Sequence, residues 1–341
     1  MNIAILGVGA IGGVIGGYLA NNDYQPTLID LWPENIAHIK TNGITVTGIG
    51  EEFTANAKAL HLGEVSSTRQ FFDMVIISVK SYDTAWATKF IQPYLAPEGF
   101  IVSAQNGINE DEIASIVGWN NVIGCIVTIG AGMYSPGHVH RTSPSDKPSF
   151  ILGEPNGIIS PRLETTCAIF NNVGPSKKTT NLWGERWSKL TQNCMVNALS
   201  GITGLSPAEV RRNSDSSTIL IKLAIEIIQV VNALGVEMKQ VNGITTKIWL
   251  ESENNTEIRN DLKNTLVKTV QKTFGEGRPS LSQDIIKGRK IEIDSLNGYV
   301  VRQAKKTGLS VPLNKAIIKV SKLVEAGDLE PSLLNLEYLE I

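Results

Sequence analysis

Six residues near the amino terminus, Gly7-Val8-Gly9-Ala10-Ile11-Gly12, constrain the fold of this 341-residue chain more than any other feature. A GxGxxG hexamer is common by itself. This one directly follows an apolar run at 3–6, opens a stretch of helical composition reaching about Ala20, and precedes Asp30, 18 residues beyond Gly12 at the end of the next apolar run. That order reads as a strand, a tight turn and a helix N-terminus. Gly7 permits the turn, Gly9 lets an anionic group approach the backbone, and Gly12 lets the helix pack on its strand. The helix start adds free N–H groups and the positive end of the helix dipole, which suits phosphates.

The rest of the first half repeats the theme. Apolar runs of strand length at 27–29, 74–79, 100–104 and 122–129 alternate with segments that can hold helices, the pattern of a parallel sheet buried on both faces. Pro136-Gly137 reads as a turn, after which 138–141 and 149–152 are expected to pair as an antiparallel hairpin. Beyond about residue 180 such runs stop. Ser206-Pro207-Ala208-Glu209 is a capping box with proline at the first helical position, 217–234 is a long apolar helix stopped by Gly235, and 251–275 is polar with a helical period, an extra surface helix or helical hairpin. The expected fold class is therefore α/β: a Rossmann-type parallel-sheet domain at 1–179 that binds a dinucleotide, and an all-helical substrate-binding domain at 180–341.

An acid at the position of Asp30 accepts hydrogen bonds from ribose hydroxyls and repels a 2'-phosphate, and no basic residue follows it before Lys40. NAD(H) is thus favoured over NADP(H); the alternative is that Asp30 only caps the following helix. Other classes fit poorly. A net charge of -2 without a basic block argues against nucleic-acid binding, and three dispersed cysteines argue against a zinc site or disulfide framework and for a reducing cytoplasm. No targeting segment is visible, and no apolar run reaches the ~18 residues of a membrane span.

Reduction of a carbonyl needs a proton donor beside it, often histidine. Only four histidines exist, His38, His61, His138 and His140, all in the first half. Lysine is the other candidate. Lys189, Asn193 and Asn197 stand at i, i+4 and i+8 among apolar neighbours, one stripe of a helix that is either a satisfied polar seam or a ligand site.

Taken together, the GxGxxG loop, Ser78-Val-Lys80, Gln105-Asn106-Gly107, the Lys189/Asn193/Asn197 stripe, Ser280-Leu-Ser-Gln-Asp284 and Ile291-Glu292-Ile-Asp-Ser-Leu-Asn297-Gly298 resemble the ketopantoate reductase (2-dehydropantoate 2-reductase) family over nearly the whole chain. The resemblance implies NAD(P)H-dependent reduction of a 2-oxoacid, foremost ketopantoate, with Lys189 as proton donor and Glu292 holding its ammonium. It implies Asn193, Asn197 and Ser280 on the substrate, and Lys80, Asn106 and Glu292 on the cofactor side. It also implies closure of the two domains over the substrate and a homodimer. Asp30, the 251–275 segment, which lengthens the chain against typical members, and the lack of a third asparagine in 198–207 keep a second reading open, a dehydrogenase of the same family acting on branched or aromatic D-2-hydroxy acids. A non-catalytic NAD(H) sensor is the remaining alternative.

Overall fold

The computed structural model describes residues 1–271 and 278–339 and divides into two compact units, Met1–Leu182 and Trp183–Ile341. In the first unit the strands are β1 (Ile3–Leu6), β2 (Thr27–Asp30), β3 (Ile44–Gly48), β4 (Glu51–Ala55), β5 (Lys58–His61), β6 (Phe72–Ile77), β7 (Leu95–Ser103), β8 (Val122–Val127), β9 (Ala131–Ser135), β10 (His138–Arg141), β11 (Phe150–Gly153) and β12 (Ser176–Lys178). Its helices are α1 (Ala10–Asn21), α2 (Pro33–Asn42), α3 (Thr84–Ile91), α4 (Glu110–Val117) and α5 (Pro161–Phe170).

The main sheet runs β12-β11-β8-β7-β6-β1-β2-β5. From β5 to β8 every pairing is parallel, with β11 antiparallel to β8 and β12 parallel to β11. β1 and β8 are buried along their whole length, because helices and a second layer cover both faces, and this is why their sequences are unbroken apolar runs. The chain winds outward from β1 in both directions, to β2 on one side and β6 on the other. The carboxyl end of β1 is therefore the topological switch point where such sheets bind ligands.

A second sheet, β4-β3-β10-β9, corrects the expected hairpin. The Pro136-Gly137 turn joins β10 to β9, in antiparallel register, and β10 also pairs in parallel with β3. Residues 150–153 instead join the main sheet beside β8. Helix α1 lies between the two sheets, and its glycines make that possible. A β-carbon on Gly16 would sit 2.6 Å from the Leu28 side chain, while one on Gly13 or Gly17 would sit 2.5 Å from Val139 or 2.4 Å from Val46. Glycines spaced by four leave flat grooves on two sides of one helix.

The second unit comprises α6 (Leu182–Gln192), a π-helical turn at Asn193–Asn197, α7 (Ala198–Thr203), α8 (Pro207–Arg212), α9 (Ser214–Ala233), α10 (Thr246–Glu251), α11 (Thr256–Gln271), α12 (Ser280–Ile286), α13 (Asn297–Thr307) and α14 (Pro312–Ala326). Among its described residues the extended pairing is confined to the bridge Val241↔Ile244. The capping box forms, with the Ser206 hydroxyl accepting from Glu209 N and the Glu209 carboxylate from Ser206 N. Helix α9 has the length and composition of a membrane span, yet it is the central core helix, with Leu220, Ala224, Ile228 and Val231 inaccessible. The 251–275 segment is more than surface decoration: α11 buries Leu262 and Leu266 in this core, and Trp249 of α10 is fully enclosed. Residues 272–275 lie outside those described.

Gly17→Val should force apart α1 and β3, at a cost of roughly 1–3 kcal/mol. A lowered urea midpoint would show it, and an unchanged midpoint would mean the helix is not pressed against β3.

Candidate active site

The glycine loop is shaped by its neighbours before any ligand arrives. Gly7 has φ +96°, and a β-carbon there would lie 2.8 Å from the Val79 amide, so only glycine fits. Its N–H donates to the Ile29 carbonyl at 2.9 Å, and its carbonyl accepts from the Ser78 hydroxyl at 2.7 Å. A β-carbon on Gly12 would meet that same carbonyl oxygen at 2.0 Å and the Ser78 Oγ at 2.4 Å. Gly9, by contrast, is exposed, with no atom within 4 Å of its β-carbon position. It begins α1 without a side-chain cap, so the N–H groups of Ala10, Ile11 and Gly12 lack intrahelical acceptors. An open approach over uncapped N–H groups at a helix start fits a dinucleotide's pyrophosphate.

Asp30 serves both tasks considered for it. One carboxylate oxygen accepts from Val8 N in the glycine loop, and the other accepts from Trp32 N at 2.8 Å, just before α2. The half-buried carboxylate therefore stands at the loop where a ribose would follow the pyrophosphate. Lys40, the first basic residue after it, holds Glu64 at 2.6 Å.

Lys80 and Asn106 follow the carboxyl ends of the adjacent strands β6 and β7, and hydrogen bonds stitch the two loops together. The Ser81 hydroxyl and the Asn109 amide donate to the Asn106 carbonyl at 2.9 and 2.7 Å. Gln105 Nε2 donates to the Val79 carbonyl and Thr84 Oγ1, both at 2.9 Å. The Lys80 and Asn106 side chains are half-buried beside the switch point.

In the second unit, Lys189 stands near the end of α6, Asn193 and Asn197 bound the π turn, and Ser280 begins α12. In an unbroken α-helix each four-residue step overshoots a full turn by about 40°, so Asn197 would stand about 80° from Lys189. A π turn, bonded i→i+5, takes more than four residues per turn, so its step falls short and returns Asn197 toward the Lys189 line. The sequence stripe did not reveal this widening. Asn197 Nδ2 donates to Ser280 Oγ at 3.3 Å, which brings together residues 83 positions apart. Gly201 allows that approach: its β-carbon would lie 2.1 Å from Leu281 Cδ2 on α12.

Lys189 keeps part of its surface exposed, yet protein surrounds it closely enough that burial pushes its ammonium below its ordinary pKa. No hydrogen bond or ion pair reaches it from the described residues. Glu292, 5% exposed, sits in the turn before α13, where its carbonyl accepts from Ser295 N and Leu296 N at 2.9 and 3.0 Å. Burial pushes the Cys194 thiol well up, so it stays protonated inside the π turn. The histidines are engaged within the first unit: His38 and His138 rings lie 5.9 Å apart, His140 bonds Thr47 Oγ1 at 3.0 Å, and His61 takes part in the capping box with Glu64.

Comparison with known proteins identifies the family. The family described as "Ketopantoate reductase PanE/ApbA" matches residues 3–156, and "Ketopantoate reductase PanE/ApbA C terminal" matches 181–325. A curated 2-dehydropantoate 2-reductase of Aquifex aeolicus is 28% identical over 333 residues, 97% of this chain and 99% of that protein. Against that relative, the 251–275 segment is no large addition to length. A PanE/ApbA family ketopantoate reductase structure from Ralstonia eutropha JMP134 superposes with TM-score 0.78 at 26% identity, covering 96% of this chain and 99% of the other. The ternary structure of D-mandelate dehydrogenase with NADH and anilino(oxo)acetate gives TM-score 0.80 at 23% identity, with 96% and 99% coverage.

Gly12→Ala should displace the loop from Ser78 and weaken NAD(P)H binding by at least about tenfold, or 1.4 kcal/mol. Nicotinamide fluorescence titration would measure it, and unchanged affinity would place the dinucleotide elsewhere.

Proposed function

The chain belongs to the ketopantoate reductase family and is an NAD(P)-dependent oxidoreductase acting on a CH–OH group, and from that premise we propose that it reduces 2-dehydropantoate to pantoate. The observation that carries this reading is the bond from Asn197 to Ser280 of α12, made from the stripe that also bears the desolvated Lys189, which has no partner among the described residues.

When bound, reduced nicotinamide supplies the hydride. The glycine loop and Asp30 hold the dinucleotide, with Lys80 and Asn106 at its nicotinamide side. Asn193, Asn197 and Ser280 orient the 2-oxoacid through its hydroxyl, ketone and carboxylate oxygens. Lys189 donates to the ketone oxygen and gives up its proton as the alkoxide forms at C2. A buried ammonium suits that step, because lost hydration makes it a stronger acid than an exposed lysine. Among the described residues no ion pair joins Glu292 to Lys189, so the expected hold on the ammonium is not formed, and the partly exposed amine regains its proton from solvent after each turnover. Asp30, with both oxygens facing backbone N–H groups of the ribose region, supports NADH over NADPH. A second reading, oxidation of a larger D-2-hydroxy acid by NAD, is favoured by the likeness to D-mandelate dehydrogenase.

Initial rates of NADH and NADPH oxidation with 2-dehydropantoate and a panel of branched and aromatic 2-oxoacids test both. Lys189→Ala should lower kcat about 100- to 10,000-fold. A mutant retaining wild-type kcat would remove Lys189 from the mechanism. Turnover confined to aromatic 2-oxoacids would select the second reading, and silence across the panel with NADH still bound would leave a sensor.

The pH dependence follows from the same group. Reduction needs the ammonium, so kcat/KM for the 2-oxoacid should be level at lower pH and fall as pH rises through a midpoint below 10.5, the ordinary lysine value. The residual rate of Lys189→Ala should lack that limb. A midpoint at the ordinary value would mean that burial does not tune the acid.

A further inference from the structure

Asn297 is the penultimate residue of the Ile291-to-Gly298 motif and takes no part in the chemistry proposed above. It is inaccessible to solvent at the first residue of α13, and its Nδ2 donates to the Cys194 carbonyl inside the π turn at 3.4 Å and to Asn314 Oδ1 at 2.9 Å. Asn314, equally inaccessible, donates its own amide to Glu226 Oε2 at 2.8 Å. The Glu226 carboxylate, in the middle of α9, also accepts from Leu313 N and Asn314 N at 2.9 and 3.0 Å, which caps α14. A chain of polar groups thus runs through the core of the second unit from α9 and α14 to the π turn.

The far side of Asn297 shows what the chain is for. Its Oδ1 is buried with no partner among the described residues, a position a leucine of similar size would fill without an unpaired acceptor. What the amide contributes is its donor. Where a helix changes from i→i+5 back to i→i+4 bonding, one carbonyl is skipped by the helical N–H groups, and Cys194 offers its carbonyl within that turn. A donor fixed there favours the π form over the α form.

We propose that Asn297 is a positioning residue for substrate binding: by holding the Cys194 carbonyl it maintains the π turn that keeps Asn197 in line with Lys189 and beside Ser280. Without it the turn relaxes toward α geometry, and Asn197 swings toward the position about 80° from Lys189. The proposal rests on the substrate roles given above to Lys189, Asn193 and Asn197.

The test pairs kinetics with hydrogen exchange in the full-length protein. In Asn297→Leu, KM for the 2-oxoacid should rise about tenfold or more while KM for NAD(P)H stays within about twofold. Exchange of the amides in 193–203 should accelerate, while that of β1 and β6 stays unchanged. Asn297→Ser, which keeps a shorter donor, should recover part of both effects, and it serves as the second variant if the leucine protein folds poorly. An unchanged KM for the 2-oxoacid overturns the proposal, as does faster exchange throughout the second unit with both KM values intact, the mark of a merely structural residue. If the wild type turns over no 2-oxoacid, the parent reading fails and takes the substrate role of Asn297 with it. Faster exchange confined to 193–203 would then show that the turn is held as described and that the error lay in the parent reading.

Discussion

A helix wedged between two sheets can carry nothing larger than hydrogen where it touches them, and this limit on α1 organises the first unit. Gly16 admits Leu28 of the main sheet, and Gly13 and Gly17 admit Val139 and Val46 of the second sheet. Side chains at these positions would push the layers apart, and the glycine loop that starts the same helix would move with it. Gly12 then locks the helix start against the Gly7 carbonyl and Ser78. The free N–H groups at the start of α1 are thus held by packing on three sides, so an anion bound there would spend little of its binding energy on ordering them.

The second unit solves a different problem, the placing of a charge among apolar helices. An ammonium is costly to bury, and the lowered pKa of Lys189, which pairs with no described residue, is the expression of that cost. The stripe carrying it is built from a widened helical turn rather than from a regular helix, and widened turns are common where side chains must be aimed. Their carbonyls need outside donors. Here the donor is an amide from α13, held by Asn314 of α14 and through it by the capping carboxylate on α9, so the aim of one stripe depends on three helices.

How much of this was legible in the sequence depends on the range over which each signal acts. The glycine loop, its strand and the distance to Asp30 are local, and the structure has β1 at 3–6 and α1 ending at Asn21, close to the expected Ala20. The capping box of α8 and the Gly235 stop after α9 are local too. The second sheet was missed because β3 and β4 are short and half polar, and β3 finds β10 about ninety residues away through a pairing with no local turn signal. The residues of β9, Ala131–Ser135, begin just past the run at 122–129 and were not read as a strand, so the Pro136-Gly137 turn was recognised but given the wrong partner. In the candidate site, residue types and order were readable. The π turn, the Asn297 network and the Gly201 contact were not, since each depends on atoms brought together from distant segments.

The central claim is that Lys189 faces the ketone of a 2-oxoacid held by Asn193, Asn197 and Ser280. A crystal structure with the oxidised cofactor and a non-reacting 2-oxoacid analogue tests it most directly. The account predicts Lys189 Nζ within hydrogen-bonding distance of the analogue's ketone oxygen, with Asn197 and Ser280 on the same molecule and the π turn intact. An analogue bound with Lys189 turned away, or seated on side chains outside this stripe, would contradict it.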